Sequence, residues 1–141
     1  MPSLSIYLIF QGNTEQAFNF YKSVFGGEFL QVQRFGDMPD SDQIPADEKN
    51  KIMHIGLAVG NTYIMGTDAL ESMGQKVTFG NNSYITITPE TKDEADRFYQ
   101  ALSEGGKIEM ELQDTFWGAY YASFSDKFGL QWMINYDYPK E

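Results

Sequence analysis

The chain has 141 residues, the size of one domain with its own hydrophobic core. Its 10 Lys and Arg against 20 Asp and Glu give a formal charge of −10, which argues against nucleic-acid backbones and anionic membranes as partners. The absence of cysteine excludes disulfides, zinc ribbons, iron–sulfur clusters and thiol nucleophiles.

The beginning of the chain carries no signal for secretion or membrane insertion. Residues 1–5 contain no basic side chain, and the apolar run that follows covers only residues 6–10. A membrane span needs about twenty apolar residues, so we expect a cytoplasmic protein. The eleven Phe, nine Tyr and two Trp exceed what a core of this size needs, which predicts that some rings line a cavity or an interface.

Helical periodicity first appears in residues 13–25. Asn13 is a candidate N-cap, Gln16 is its partner three residues later, and Gly27 ends the pattern. Apolar residues recur at the spacing of one helix face, at Ala17, Phe20, Tyr21 and Val24. The sequence therefore predicts a helix whose apolar stripe packs on a sheet.

Strands are predicted on both sides of this helix. Extended patterns bounded by turn residues cover 4–10, 28–35, 53–59 and 62–67. Gly60-Asn61 supplies the turn between the last two. Residues 36–52 hold five carboxylates and two prolines without a regular period, which indicates a solvated acidic loop able to fold over a cleft. The first half of the chain is thus β-α-β-β-β.

The second half repeats this pattern. A second apolar stripe follows the first by 78 residues, member for member, at Ala95, Phe98, Tyr99 and Leu102. The same offset relates Asn13 to Thr91 and Gly27 to Gly105, which are the caps and stops of the two helices. Further strands are predicted at 83–88, 107–112, 119–124 and 130–136.

These elements predict an α+β fold made of two βαβββ units. We expect a single domain over residues 1–141, with modules at 4–68 and 83–136 and a linker at 69–82. A pseudo-twofold would relate the modules, and their curved mixed sheets would enclose a cleft. If the two stripes failed to pack on equivalent sheet faces, the repeat would be wrong.

Several sequence blocks resemble the PhnB-like subfamily of the vicinal oxygen chelate superfamily, which includes glyoxalases, extradiol dioxygenases and bleomycin-resistance proteins. The most specific blocks are Asp114-Thr115-Phe116-Trp117-Gly118 and Asp126-Lys127-Phe128-Gly129, and the resemblance covers nearly the whole chain. It implies the paired βαβββ fold and a homodimer. Some members carry the label of demethylubiquinone methyltransferase, but no Gly-x-Gly-x-x-Gly follows a strand here to bind a methyl donor.

The resemblance also implies where a metal would bind. In metal-dependent members, four His or Glu residues lie on the first and last strands of each module. The corresponding positions in this chain are Ile6, Ile64, Tyr84 and Met133, none of which is a usual ligand for a divalent ion. We therefore predict no resident metal, no cofactor and no rise in melting temperature when divalent ions are added.

Six residues are candidates for a ligand site. His54 is the only histidine and shares a strand face with small residues, so it could act as a base, although it could equally be a hydrogen-bonded structural histidine. Trp117 and Tyr121 share a strand face and could stack on a planar or cationic ligand, or fill the core instead. Asp68 closes a strand and could lie at the mouth of the cleft or simply start a turn. Tyr84 and Met133 complete the predicted ligand-binding set.

Two classes of function remain open from the sequence. The first is a small-molecule-binding protein of the glyoxalase/bleomycin-resistance type with an aromatic-lined cleft and no standard metal site. The second is an enzyme of the superfamily, an isomerase, lyase or dioxygenase, with a rearranged site that uses His54. A dimer with a vestigial cleft is a third possibility. The predicted partners are a small organic ligand and a second copy of the chain.

Overall fold

The computed structural model describes residues 1–139, and the chain divides into two compact units, Met1–Thr78 (unit 1) and Phe79–Glu141 (unit 2). The boundary lies inside the segment expected to be a linker, residues 69–82. The first part of that segment is folded into unit 1, where Ala69 and Leu70 are buried and the Ala69 N–H donates to the Phe10 carbonyl at 2.7 Å. The first two residues of the segment are therefore packed into unit 1, whereas residues 71–76 are exposed.

Unit 1 contains one helix and a four-stranded mixed sheet. The elements in chain order are β1 (Ile6–Phe10), α1 (Thr14–Phe25), β2 (Phe29–Arg34), β3 (Ile52–Val59) and β4 (Thr62–Asp68). The strand order is β1-β4-β3-β2, with β1 parallel to β4 and the other pairs antiparallel. Between β2 and β3, the segment expected to have no regular structure forms three short 3-10 turns at Phe35–Asp37, Ser41–Gln43 and Ala46–Glu48.

Unit 2 repeats the same topology. Its elements are β5 (Ile85–Ile87), α2 (Lys92–Ser103), β6 (Lys107–Asp114), β7 (Ala119–Ser125) and β8 (Gln131–Asp137). The order β5-β8-β7-β6 corresponds strand for strand to that of unit 1, and β5 is again parallel to β8. The predicted α+β fold with two βαβββ units is confirmed.

Each helix packs one face on its own sheet. In α1 the predicted stripe is buried at Ala17, Tyr21 and Val24, but Phe18 is fully buried in the place expected for Phe20. The reason is on β4, where Gly66 has no side chain: a Cβ there would lie 2.6 Å from Cε1 of Phe18. The helix period alone does not show this gap in the opposing sheet.

The second helix begins as the sequence predicted. The hydroxyl of Thr91 accepts from the Glu94 N–H at 3.1 Å, and the Glu94 carboxylate accepts from the Glu90 N–H at 3.0 Å. Ala95, Phe98 and Leu102 of its stripe are buried. Among residues 1–139, neither helix has the length and apolar character needed to cross a membrane.

Candidate functional site

Each sheet has one face covered by its helix and one face turned away from it, here called the far face. In unit 1, Gly66 meets Phe18 of α1, so alternation along the strand places Ile64 and Asp68 on the helix side and Met65 on the far face. In unit 2, Phe124 packs against Tyr99 of α2 with ring centres 5.8 Å apart. Candidate ligand-binding side chains can therefore be sorted by face.

His54 lies on the far face of unit 1, as its strand pattern predicted. It is half-buried in β3, where it pairs with Gln33 of β2, and its ring centre is 6.1 Å from that of Tyr7 on β1. Gly56 lies two residues further along β3, and a Cβ added there would lie 3.7 Å from Cβ of Leu30 and 3.9 Å from Cγ of Met65. An imidazole and a phenol thus stand side by side on one surface.

An open cavity of about 770 Å³ borders this surface in unit 1. Its wall is formed by β1, by the ends of β3 and β4 and by the segment that leads out of unit 1, with Tyr7, Ile9, Met53, Met73 and Lys76 among the lining residues. The volume lies within the range of small-molecule sites, and apolar side chains supply much of the lining.

Asp68 borders the cavity but its carboxylate is committed to the protein's own structure. The side chain is 3 % exposed, and one oxygen accepts from both the N–H and the hydroxyl of Thr14, at 3.0 and 2.6 Å. The other oxygen accepts from the Ile52 N–H at 2.8 Å. Asp68 therefore caps α1, while the predicted cap residue Asn13 makes no capping bond with its side chain.

In unit 2 the structure brings two predicted ligand-binding residues, Trp117 and Tyr121, together on the far face. The rings of Trp117 and Tyr121 are 5.7 Å apart in an edge-on arrangement, and Phe116 lies 5.0 Å from Trp117 on the other side. Trp117 is 52 % exposed, whereas Trp132, on the helix side of the same sheet, is 1 % exposed. Trp117 is thus a surface ring and Trp132 is a core ring.

Tyr84 joins this cluster from the opposite edge of the sheet. Its hydroxyl donates to Oε1 of Glu109 on β6 at 2.6 Å. That hydrogen bond and the nearby Tyr121 hydroxyl raise the pKa of Tyr84, so the phenol stays a neutral donor. Strands β5 and β6 are the two edges of the sheet, about 14 Å apart if it were flat. Because side chains stand roughly perpendicular to a sheet, the bond indicates a concave far face. The four residues Tyr84, Glu109, Trp117 and Tyr121 are called the aromatic corner below.

Met133 also lies on the far face of unit 2, paired with Ser123 of β7 and Thr86 of β5. Ile64 and Met133, the expected metal positions on the last strands, lie 69 residues apart, but the helix-side pairs show a different correspondence. Ile55 pairs with Gly66 in unit 1, and Ala122 pairs with Ile134 in unit 2. These pairs make the offset of the last strands 68, because Ile134 lies 68 residues after Gly66. The sequence could not show this one-residue difference.

The difference corrects three of the four expected metal positions, and in unit 2 it is Thr86 rather than Tyr84 that pairs with Met133. Ile6 and Ile64 pair with each other but lie on the helix side of unit 1. The far-face residues that correspond to the Thr86–Met133 pair are Tyr7 and Met65, which also pair with each other. A phenol, a hydroxyl and two thioethers are not the donor set of a divalent metal ion. Within the described residues, no three His, Cys, Asp or Glu side chains are grouped closely enough to hold an ion.

Two residues of these surfaces were missed by the sequence reasoning. Tyr7 was visible only as part of an apolar strand, and Glu109 as one of several charges on an edge strand. Neither strand pattern shows that Tyr7 reaches His54 or that Glu109 reaches Tyr84, because these partners lie on different strands and only the strand order brings them together.

Comparison with known proteins places these features in a family. The model of the family described as 3-demethylubiquinone-9 3-methyltransferase matches residues 2–135. Protein YjdN of Escherichia coli K12 is 36 % identical over 142 residues, covering 96 % of this chain and 95 % of YjdN. The crystal structure of PA1353 from Pseudomonas aeruginosa is 38 % identical with a TM-score of 0.82, covering 96 % and 98 % of the two chains.

A more distant structure shows the same fold. A glyoxalase/bleomycin resistance protein/dioxygenase family enzyme from Burkholderia phytofirmans is 19 % identical, with a TM-score of 0.64 over 95 % of this chain and 97 % of its own. At that identity the likeness concerns the arrangement of the strands and helices, and it leaves the chemistry of the site to the residues described above.

Proposed function

The chain belongs to the PhnB-like family, described as 3-demethylubiquinone-9 3-methyltransferase, within the glyoxalase/bleomycin-resistance superfamily, and on this premise we propose that it is a small-molecule-binding protein. The observation that supports this most directly is the aromatic corner of unit 2. Trp117, a large ring with a polar edge, is half-exposed and flanked by two further aromatic side chains. Such rings bind planar or apolar ligands by stacking.

The proposal does not include methyl transfer. Both four-stranded sheets are mixed, with two antiparallel strand pairings and one parallel pairing, and neither is the doubly wound parallel sheet on which a glycine-rich nucleotide-type site is built. It also involves no resident metal, since the far-face donor set of Tyr7, Met65, Thr86 and Met133 does not suit one.

The second candidate is an enzyme that uses His54, and one observation favours it. His54 and Tyr7 form an acid–base-capable pair on the far face of unit 1, and Tyr7 lines the 770 Å³ cavity. In this case His54→Gln would abolish turnover of a bound compound while its binding persisted. A pure binding protein would show no turnover to lose.

The homodimer and the cytoplasmic location stay predictions. The edge strands β2 and β6 carry exposed apolar side chains, Leu30 and Val32 on β2 and Ile108 and Met110 on β6. These side chains support the proposal that a second copy of the chain covers them in solution. Sedimentation at high micromolar concentration should give twice the 16.1 kDa of the chain. A 16.1 kDa species would contradict the dimer.

The binding proposal is tested with a neutral aromatic probe and two variants. Benzyl alcohol titrated into ¹⁵N-labelled protein should shift the backbone signals of β7 and of the turn that holds Trp117, with saturation at millimolar concentration, about the affinity expected for a few stacked atoms. Trp117→Ala should remove these shifts. Tyr63→Ala removes an equally exposed ring from β4 and should leave them unchanged. Shifts that survive in Trp117→Ala would overturn the proposed site.

A further inference from the structure

The charge of the aromatic corner bears on the class of ligand it accepts. Glu109 is exposed on edge strand β6 and, within residues 1–139, forms no ion pair. Its Oε1 accepts the short hydrogen bond from Tyr84, which fixes the carboxylate over the concave face. Among residues 1–139, no donor forms a hydrogen bond to the second oxygen of the carboxylate. The Glu109 carboxylate, hydrogen-bonded to one ring of the corner, therefore has no ion-pair partner among the described residues.

The basic side chains of unit 2 that contact rings are engaged elsewhere. Lys92 lies 4.7 Å from the ring centre of Tyr120, Arg97 lies 5.0 Å from that of Phe98, and Lys127 lies 5.8 Å from that of Phe128. In the described part of the unit, none of these ring contacts involves Trp117, Tyr121 or Tyr84. Within the described residues, the faces of the corner's own rings are thus not contacted by a Lys or Arg side chain.

We infer that the aromatic corner recognises an organic cation, an ammonium or guanidinium group attached to an apolar body. This rests on the proposed function and specifies the ligand class for the same site. The cation lies against the ring of Tyr121, where the negative face of the ring attracts it. Tyr121 contacts Trp117 on one side and lies near Tyr84 and its partner Glu109 on the other, so the Glu109 carboxylate offsets the charge. The apolar body covers Phe116, which is 98 % exposed.

Electrostatics disfavour the other two ligand classes. An anion would meet Glu109 directly and approach a chain whose formal charge is −10. A neutral ligand would stack on Trp117 but gain nothing from Glu109. The Tyr84 hydroxyl stays protonated because hydrogen bonding to Glu109 raises its pKa, so it holds the carboxylate without adding charge.

The test compares three aromatic probes of similar size that differ in charge: the cation phenyltrimethylammonium, the neutral benzyl alcohol and the anion benzoate. The two tryptophans give two indole N–H signals, one from Trp117 at the corner and one from buried Trp132 as an internal control. We expect phenyltrimethylammonium to move the Trp117 signal, to leave the Trp132 signal in place and to bind about three- to tenfold more tightly than benzyl alcohol. Benzoate should bind most weakly, and high salt should reduce the difference.

Two matched variants assign the preference to one carboxylate. Glu109→Gln keeps an acceptor for Tyr84 and removes the charge, so the affinities for phenyltrimethylammonium and benzyl alcohol should become equal. Glu104→Gln changes the net charge of unit 2 by the same amount at the exposed end of α2 and should keep the preference.

The outcomes separate this inference from the proposed function. If none of the three probes moves the Trp117 signal, the binding proposal itself is wrong. If the neutral probe binds as tightly as the cation, or if the preference survives in Glu109→Gln, stacking at the corner stands and the cation inference is overturned.

Discussion

The two units share a strand order but begin their helices in different ways. Helix α2 is capped from within its own sequence, by Thr91 and Glu94, at an exposed position. Helix α1 is capped from outside by Asp68, which is buried at the end of β4 and also binds the first N–H of β3. The same topology is therefore held by a local contact in one unit and by a long-range contact in the other.

The counterparts of Asp68 and Phe18 show how far the repeat has diverged. Tyr136 stands at the position of Asp68, because the last strands of the two units are offset by 68 residues. Its neighbour Asp137, the carboxylate at the end of β8, is exposed and within residues 1–139 accepts one hydrogen bond, from the Asn135 side chain at 3.1 Å. Phe18 corresponds to Asp96, which accepts from the Tyr120 hydroxyl at 2.6 Å. A repeated topology thus requires equivalent packing surfaces but not equivalent polar contacts.

The largest expected effect is the loss of the buried cap. Asp68→Ala leaves two backbone N–H groups and the Thr14 hydroxyl without their acceptor, and we expect it to lower the free energy of unfolding by about 3 kcal/mol. Urea denaturation followed by circular dichroism measures this. Asp137→Ala, which removes the exposed carboxylate at the end of β8 in unit 2, should change stability by no more than about 0.5 kcal/mol. Equal losses in both variants would remove the difference between the units.

The next effect concerns the gap that Gly66 leaves for Phe18. Gly66→Ala places a Cβ 2.6 Å from a fully buried ring, and the resulting displacement should cost about 2 kcal/mol. Gly56→Ala on the neighbouring strand meets its nearest atom at 3.7 Å and is the matched control, with little expected change. Thermal unfolding of both variants provides the comparison. A Gly66→Ala protein as stable as the Gly56→Ala protein would show that Phe18 does not need this gap.

The smallest expected effect is a difference between the two units in how their stability depends on pH. Arg34 binds the Glu15 carboxylate with two hydrogen bonds and lowers its pKa below the ordinary 4.5, so this tie stabilises unit 1 above that pH and is lost as the pH falls through the folded-state value. In unit 2 the bond to Asp96 raises the pKa of Tyr120 from 10.0 to about 12, so stability is lost as the pH rises from about 10 to about 12.

Two variants isolate these ties. Glu15→Gln should reduce the loss of stability in acid, and Tyr120→Phe should reduce it in alkali, each by no more than about 1 kcal/mol because both pairs are partly exposed and screened by water. Urea midpoints measured across the pH range test this. Unfolding curves of the variants that keep the wild-type slope at both ends would contradict the assignment of the two ties.

Sequence reasoning predicted the elements better than it predicted the contacts of the candidate site. It placed Trp117 and Tyr121 on one strand face, but Trp117 lies in the turn before β7. The 5.7 Å between their rings depends on that turn, because residues four apart on one strand lie about 13 Å apart. It chose Tyr84 through the resemblance to a family, and missed Glu109, because that partner lies on the opposite edge of the sheet. The choice of Asp68 as a ligand-binding residue stays a prediction, with its carboxylate already bonded to Thr14 and Ile52.

The sequence by itself determined the two βαβββ units, the two helices with their stops, and the turn at Gly60, because periodicity, capping and glycine conformations act over a few neighbouring residues. The tertiary structure decided which face of the sheet each strand residue lies on in the two units. It also decided that the Asp68 carboxylate bonds Thr14 and Ile52 and that Tyr84 bonds Glu109. These depend on strand order and on one-residue differences in register, and a shift of one residue moves every side chain of a strand to the other face.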